Sequence, residues 1–425
     1  MNSALIIGLF FVLMMAGIPV AVSLGLAALA YIVFITSIDP ILVVQQTING
    51  ADKFTLLAIP FFIMAGGFME QGGISNRIVH FAKSLFSPLP GGLALVVIGA
   101  SMIFASMTGA GAATAAAIGS IMLPAMRREG YDEDFGGALQ ATAGIFGPLI
   151  PPSILMVLYG VATDTSVGDM LLAGVAPGLT LGLLVAAVTV IVCARRGYRG
   201  EGRLVLSETV SAFFHAFFAL LTPVIILGGI YTGIFTATEA AAVAALYALV
   251  AGAFIYRELT AAKMLAIAYR SIKLAAGILF IVAATQAFGW VLTREQIPQK
   301  LAEFFSNLSG EPVVFLLAAC VLLLIAGCFL DAVPAIMIFA PILAPSAIRY
   351  GINAVHFGVV MVVALCIGLI TPPVGMNLFV VSSLSGRPVH AIVRKSLPFL
   401  AAVLIGLLFV VFVPALSLFL PEALG

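Results

Sequence analysis

Long apolar stretches follow one another along almost the entire chain. They fall near residues 4–36, 54–70, 84–126, 135–163, 170–194, 212–236, 238–256, 274–293, 313–348, 353–386 and 396–420. A helix needs about 20 apolar residues to cross the hydrocarbon core of a bilayer, so most of these stretches predict membrane-spanning helices. The pattern predicts an all-α, polytopic membrane protein.

Two of the stretches are too long for one straight span. The stretch 84–126 has 43 residues without a charge and is interrupted at 106–111, and 313–348 has Asp331 as its only charge, followed by Pro334. Each predicts two helices that meet at a non-helical tip, and hydropathy leaves open whether the tip crosses the bilayer or turns back within it. The stretch 4–36, split by Gly17-Ile18-Pro19, is one bent span or two.

Basic residues predict the sidedness. If both long stretches are re-entrant hairpins and every other segment from 54 onward crosses once, 15 of the 19 Lys and Arg share one side. They are Arg77, Lys83, Arg127, Arg128, Arg195, Arg196, Arg199, Arg203, Arg257, Lys263, Arg270, Lys273, Arg387, Arg394 and Lys395. The other side keeps Lys53, Arg294, Lys300 and Arg349. The basic side is therefore predicted to be cytoplasmic, although a full double crossing at either tip would leave this tally unchanged.

The two halves of the chain resemble each other at an offset of 221 residues. The matching positions are Pro124, Gly130, Gly147, Pro151 and Pro152 with Pro345, Gly351, Gly368, Pro372 and Pro373. By the predicted sidedness the first hairpin opens to the cytoplasm and the second to the outside. The sequence thus predicts inverted repeats, the architecture of many secondary transporters.

These repeats divide the chain into four parts. Residues 1–53 are the N-terminal scaffold helix or helices, and 196–273 are central scaffold helices with a cytoplasmic connection. The first repeat, 54–195, has its hairpin at about 84–126 and a broken helix at about 132–163. The second repeat, 274–425, has its hairpin at about 313–348 and a broken helix at about 353–386.

Four breaks recur inside the apolar stretches, at 106–111, 147–152, 327–334 and 368–373. Such backbone survives at membrane depth only where it is buried in protein or lines a cavity. Its free carbonyls suit Na⁺, and the helix N-termini that follow suit a carboxylate. Ordinary proline kinks are the alternative interpretation.

Asp331 is the only charge in its stretch, and a carboxylate in the bilayer by default marks an ion or proton site. The alternative is that it caps the following helix, and it could do both. Glu239, after Thr236, is interpreted as part of a loop between helices. Ser101, Ser106, Thr108, Thr371 and Asn377 are polar groups near the breaks that could equally bond to their own helices.

Composition excludes several functions. The chain has 425 residues, 63% apolar and 9% charged, whereas soluble domains have roughly 25% charged residues, which excludes an ordinary globular enzyme. The net charge of +1 gives no field for a nucleic-acid partner. The four cysteines lie singly in apolar runs and the four histidines lack metal-ligand spacing. We expect neither catalytic residues nor a metal other than Na⁺.

The second-half motif resembles the large membrane subunit of tripartite ATP-independent periplasmic (TRAP) transporters. Its residues are Gly327-Cys-Phe-Leu-Asp-Ala-Val-Pro334, Ala340 to Pro345, Gly351 and Gly368-Leu-Ile-Thr-Pro-Pro-Val-Gly-Met-Asn377. The segments 113–124 and 147–153 are similar to the same family. The resemblance covers essentially the whole chain.

The resemblance implies a Na⁺-driven importer of organic acids in the bacterial inner membrane, working as an elevator. It implies two partners, a soluble periplasmic binding protein and a small four-helix membrane subunit, which is expected to be a separate chain. The implied Na⁺ site 1 comprises Ser101, Ser106, Gly147, Ile150 and Pro151. The implied Na⁺ site 2 comprises Gly327, Asp331, Gly368, Thr371 and Met376. The substrate is expected at Thr108, Gly109, Gly111, Asp331 and Asn377.

Two other functions remain open on the sequence. One is a self-sufficient Na⁺–dicarboxylate symporter without a binding protein. The other is a membrane scaffold or channel, which a continuous polar stripe along several spans would favour, and no such stripe is evident in the sequence.

Overall fold

The computed structural model describes residues 2–198, 200, 205–308 and 310–424. Arg199 and Arg203, which entered the charge tally, lie outside the described residues. Within these ranges the chain forms helices joined by short loops, without a strand. Eight helical segments are long and apolar enough to cross a membrane. The prediction of an all-α, multi-pass membrane protein is therefore confirmed.

The N-terminal apolar stretch forms two helices, because Gly17 takes a left-handed φ of +84° just before Pro19. They are α1 (Asn2–Met15) and α2 (Val20–Ile35), followed by α3 (Ile41–Ala51) and, after a 3-10 turn at Phe54–Leu57, by α4 (Ala58–Gln71). The sequence analysis did not predict α3, whose turn carries Gln45 and Gln46 among its apolar residues.

The stretch around the first tip forms a helical hairpin. Its arms are α6 (Gly92–Thr108) and α7 (Gly111–Arg128), and the amphipathic α5 (Ile74–Phe86) precedes them. Gly109 ends α6 because its φ of +65° is left-handed, a conformation that costs a glycine little. The tip is thus two residues, Gly109 and Ala110, at the centre of the predicted break.

The first broken helix follows the hairpin. It consists of α8 (Glu133–Ala143), a 3-10 turn at Gly144–Phe146 and, after an irregular segment, α9 (Ile154–Thr163). Asp132 caps α8 by accepting hydrogen bonds from the N–H groups of Asp134 and Phe135, and Ser153 caps α9 by accepting one from Met156 N–H. The polar residues that flank the break therefore start the two helices.

The middle of the chain forms long helices. They are α10 (Val167–Ala173), α11 (Val175–Arg196), α12 (Leu206–Tyr231), α13 (Ala237–Val250), which ends in a π-helical turn at Ala251–Ile255, and α14 (Ala261–Arg294). Thr236 and Glu239 form a reciprocal capping box at the start of α13, so Glu239 has the structural role that the sequence favoured. With 34 residues, α14 begins well before the apolar stretch at 274.

The second half repeats this order of elements. It comprises α15 (Ile297–Leu308), the hairpin arms α16 (Pro312–Phe329) and α17 (Ala332–Arg349), the broken helix α18 (Ala354–Gly368) and α19 (Met376–Ser385), then α20 (Val389–Phe412) and α21 (Ala415–Leu424). The start of α7 and the start of α17 are 221 residues apart. Cis peptide bonds join Pro151 to Pro152 and, at the same offset, Pro372 to Pro373.

Helices of the two halves pack against each other. In the second half, α17 contacts α9 of the first, α19 contacts α7 and α8, and α20 contacts α8 and α11. A separate group forms as α4 packs on α13 and α14, while α14 also contacts α2 and α3. The hairpins and broken helices therefore form one interlocked body beside a group of long helices.

Candidate functional site

The first hairpin tip and the first broken helix meet through backbone contacts. A Cβ on Gly147 would overlap the carbonyl oxygen of Ala110 and lie 2.7 Å from Thr114 Oγ1. A Cβ on Gly109 would lie 2.7 Å from the carbonyl oxygen of Pro152. Only glycine at 109 and 147 lets the tip and the break approach this closely. Carbonyl oxygens of both segments are thereby concentrated in one place.

The hydroxyls predicted for the first Na⁺ site differ in their contacts. Ser106 Oγ donates to Ile103 O at 2.7 Å, within its own helix. Ser101 is fully buried, and its Oγ has no hydrogen-bond partner. Ile150 lies against Gly178 of α11, and Pro151 is buried. A buried hydroxyl oxygen without a partner is destabilising unless a ligand occupies it, so Ser101 fits an oxygen-liganded cation.

The polar residue of the first tip is bonded within the hairpin. Thr108 Oγ1 lies 2.9 Å from Thr114 Oγ1, and Thr114 Oγ1 donates to Ala110 O at 3.0 Å. Only 4% of Thr108 is exposed. Gly111 starts α7, and a Cβ there would lie 3.2 Å from Asn377 Oδ1. Of the residues predicted to bind substrate, the structure therefore brings Gly111 and Asn377 together.

Asn377 is the point at which the second broken helix contacts the first half. Its Nδ2 donates to Ala141 O at 3.2 Å, and its backbone N–H donates to Leu369 O at 3.0 Å. The side chain is fully buried, and Oδ1 has no hydrogen-bond partner. A Cβ on Gly144 would lie 2.7 Å from Nδ2. Asn377 thus ties the two halves together and leaves one buried acceptor free for a ligand.

The second hairpin tip and the second broken helix also meet at glycines. A Cβ on Gly368 would lie 2.5 Å from Gly327 Cα, and Val374 N–H donates to Cys328 O at 3.1 Å. Thr371 Oγ1 donates to Ile367 O at 2.8 Å, within its own turn. Gly327 and Gly368 are therefore in contact as their shared site requires, while the Thr371 hydroxyl is used locally.

Asp331 begins α17. Its Oδ1 accepts a hydrogen bond from Ala332 N–H at 2.9 Å, so the capping role that the sequence left open is present. The residue is nevertheless exposed at the surface of the chain, and Oδ2 is available to a ligand. Capping uses one carboxylate oxygen only, so an ion-binding role stays a prediction alongside it.

The two sites differ in exposure. Around the first, Gly109, Gly111 and residues 151–153 are buried. Around the second, Asp331 and residues 372–374 are exposed, as is Met376, with 41% of its surface accessible. The sequence similarity between the halves therefore does not extend to their surroundings.

Gln140 was missed by the sequence analysis. It is fully buried on α8, its Nε2 donates to Ala115 O at 3.2 Å, and its Oε1 has no hydrogen-bond partner. Its signal was available, because it is the only amide side chain in the apolar stretch 135–163. It joins α8 to α7 directly beside the tip.

Ion pairs join the two halves at the basic rim. Asp132 Oδ2 lies 3.1 Å from both Arg196 Nη1 and Lys395 Nζ. Asp134 pairs with Arg387 through two bonds, of 2.6 and 3.1 Å. Burial alone would raise the pKa of Asp132, but hydrogen bonds from Lys395 and the N–H groups of α8 outweigh it and lower the pKa. The N-terminus of α8 is thereby fixed to α11 and α20.

A small cleft adjoins this rim. Its volume is about 120 Å³, and its lining includes Arg127, Asp132 and Glu133. Ligand pockets typically have several hundred Å³, so this cleft is too small for an organic acid.

We expect Asp132→Asn to lower the melting temperature by roughly 1–3 °C at pH 7, because two partly exposed ion pairs are lost while asparagine still caps α8. The pKa of Asp132 is lowered in the folded state, so its contribution is present above the unfolded-state pKa of about 3.9 and is lost as the pH falls through the folded value. Scanning fluorimetry in detergent from pH 7 to pH 3 measures this. The exposed Glu129→Gln should show no difference at any pH, and a pH-independent Asp132→Asn effect would contradict the ion-pair explanation.

Comparisons with known proteins give one consistent result. A family model described as tripartite ATP-independent periplasmic transporter, DctM component, matches residues 7–416. The chain is 45% identical over 375 residues to the C4-dicarboxylate TRAP transporter large permease protein DctM of Pseudomonas aeruginosa, covering 88% of each. It is 41% identical over 410 residues to the sialic acid TRAP transporter large permease protein SiaM of Vibrio cholerae, covering 96% of each.

Two further matches bear on subunit composition and fold. The isethionate TRAP transporter permease protein DctMQ of Oleidesulfovibrio alaskensis is 42% identical over 416 residues, which are 97% of this chain and 65% of that relative. The crystal structure of the YdaH transporter of Alcanivorax borkumensis matches with a TM-score of 0.63 and 15% identity, over 87% of this chain and 86% of that one. This last likeness is one of fold.

Proposed function

The chain belongs to the DctM component family of TRAP transporters, and from that membership we propose that it is the large permease subunit of a Na⁺-coupled importer of an organic acid, working as an elevator. The observation that carries the proposal is the pair of glycine contacts between a hairpin tip and a broken helix. Gly147 lies against Ala110 in the first half, and Gly368 lies against Gly327 in the second.

Each contact suits a Na⁺ ion. Na⁺ is a hard cation that prefers oxygen ligands, and each crossing gathers carbonyl groups freed by the interrupted helix. The unpartnered Oγ of Ser101 adds a buried oxygen near the first crossing's hairpin arm. The partly free carboxylate of Asp331 adds a negative charge at the second tip. We assign site 1 to Ser101, Ser106, Gly147, Ile150 and Pro151, and site 2 to Gly327, Asp331, Gly368, Thr371 and Met376.

The substrate is assigned to the space between the two tips. The N-termini of α7 and α17 begin there, and the positive ends of their helix dipoles favour a carboxylate. Asn377 Oδ1, which has no partner and lies beside Gly111, would accept a hydrogen bond from a substrate hydroxyl. C4-dicarboxylates and sialic acid, named for the relatives, are the first candidates.

The repeated elements support an elevator. The hairpins and broken helices would be inverted repeats, with re-entrant hairpins, that move together past the long helices. Close packing of α17 on α9 and of α19 on α7 favours movement as one body. The scaffold would comprise the helices of 1–53 and 196–273, with α4 and α14 at the border.

Two partners complete the proposal. A soluble periplasmic binding protein would deliver the acid, and a small four-helix membrane subunit would pack beside the scaffold in the bacterial inner membrane. The DctMQ relative, of which this chain covers 65%, has room for such a subunit within one polypeptide.

The test is uptake into proteoliposomes that hold this chain with its small subunit. Radiolabelled C4-dicarboxylates and sialic acid are offered with and without an inward Na⁺ gradient and with and without the binding protein. We expect uptake only when both are present. Uptake that persists without either would overturn the proposal, and uptake that needs Na⁺ alone would identify a self-sufficient symporter.

A further inference from the structure

The helices before the two hairpins correspond at a slightly larger offset than the hairpins do. Both α5 and α15 begin 223 residues apart, at Ile74 and Ile297. The residues before them, Gly73 and Gln296, both have positive φ, +76° and +57°. The loop 87–91 is two residues longer than the loop 309–311, which reduces the offset to 221 in the hairpins.

This correspondence pairs two scaffold glycines with two tip residues. At the offset of 223, Gly66 on α4 corresponds to Gly289 on α14. At the offset of 221, Thr108 at the end of α6 corresponds to Phe329 at the end of α16. In an inverted repeat, a contact between the first pair has a counterpart between the second pair.

The first pair is in contact. Gly66 is buried, and a Cβ on it would lie 3.2 Å from Thr108 Cα and 3.4 Å from Thr108 Cγ2. Thr108 is 4% exposed. The first hairpin tip is therefore closed onto α4, with glycine leaving the room that the tip backbone occupies.

The second pair is apart. A Cβ on Gly289 would have no atom within 4 Å, and Phe329 is 56% exposed. Asp331 next to it is exposed as well. The second half thus has the same glycine on its scaffold helix and a tip that does not occupy it.

We propose that Gly289 is the docking position of the second hairpin tip, which Phe329 occupies when the carrier moves to its other position. The structure then has its first tip closed and its second tip open toward the outside, and the other position exchanges these contacts. This inference rests on the proposed elevator, since a static protein would leave Gly289 unoccupied.

Filling the two glycines should have opposite effects. A leucine at Gly289 fits this structure and improves helix propensity, but it blocks docking of Phe329. A leucine at Gly66 would collide with Thr108 and disfavour this structure. Gly277→Leu is the matched control, because Gly277 lies on the same helix α14 and a Cβ there also has no atom within 4 Å.

The test measures the exposure of Phe329→Cys to a membrane-impermeant maleimide, with the four native cysteines replaced by alanine. Gly66→Leu should slow labelling by roughly tenfold, because the equilibrium moves to the closed second tip. Gly289→Leu should raise labelling or leave it at its maximum, and Gly277→Leu should match the parent. Oxidation of the pair Gly289→Cys and Phe329→Cys should form a disulfide, which requires Cα atoms within about 7 Å, whereas the pair Gly277→Cys and Phe329→Cys should not.

The outcomes separate this inference from the proposed function. A 289–329 disulfide that is absent in protein with Na⁺-dependent uptake overturns the docking position and leaves the transporter standing. A 289–329 disulfide supports it, and so does slower labelling in Gly66→Leu when the protein still inserts. If the parent protein shows no uptake in the proteoliposome assay but the disulfide forms, the proposed function fails while the closure of the tip stands.

Discussion

Replacing Asp331 by alanine is expected to reduce Na⁺-dependent uptake by at least about 30-fold while the protein still inserts into the membrane. A lone carboxylate at a tip within an apolar stretch has an energetic penalty that an ion-binding role explains. Truncating one partner of a close charge interaction typically costs about 2–5 kcal/mol, and each 1.4 kcal/mol is tenfold. The measurement is the initial uptake rate as a function of Na⁺ concentration.

Asparagine and serine at position 331 separate the two roles of the aspartate. Both cap helices well, so each preserves the bond that Asp331 Oδ1 accepts from Ala332 N–H. If the charge binds Na⁺, Asp331→Asn and Asp331→Ser should be as defective as Asp331→Ala, with a higher Na⁺ concentration for half-maximal rate. Normal uptake by the asparagine variant would assign Asp331 to capping alone. The first tip carries Ala110 at the equivalent position, so Ala110→Ser serves as a tip variant with no charge to lose.

The second large effect is expected from an added methyl group at the glycine contacts. Gly368→Ala would place its Cβ 2.5 Å from Gly327 Cα, and Gly147→Ala would drive its Cβ into the carbonyl oxygen of Ala110. Backbone atoms cannot turn aside as a flexible side chain can, so the tip and the broken helix must separate, at a cost of about 1–3 kcal/mol or more. We expect each variant to reduce Na⁺-dependent uptake at least tenfold.

Gly228→Ala on α12 is the matched control, because a Cβ there has no atom within 4 Å. It should keep both expression and uptake. Uptake by Gly147→Ala or Gly368→Ala that recovers at high Na⁺ would indicate weakened ion binding, as proposed. Unchanged uptake would contradict the assignment of these crossings to Na⁺, and a loss of expression would place the glycines in folding.

Much of the helical layout could be read from the sequence. The uncharged stretch at 84–126 and its interruption at 106–111 predicted a pair of helices and a tip, and the structure has α6 and α7 with Gly109 and Ala110 between them. The helices α3, α5 and α15 were not predicted, because they are short or amphipathic and lack a long apolar run.

The candidate site was predictable in its residue types and less so in its contacts. Prolines and glycines marked the breaks, because these residues interrupt helical hydrogen bonding. Nothing in the sequence indicated that Asn377 would bond to Ala141, 236 residues earlier, or that Gln140 would reach Ala115. Such bonds depend on how two distant helices cross.

The sequence by itself determined that this chain is a helical membrane protein of the TRAP permease family, because hydropathy, helix breakers and motifs are local properties of the residues. Only the tertiary structure decided that Thr108 is enclosed by Gly66 whereas Phe329 is exposed beside an open Gly289. Two similar halves can occupy different environments, because packing depends on which surfaces meet. The arrangement of the two tips is therefore a property of the folded chain.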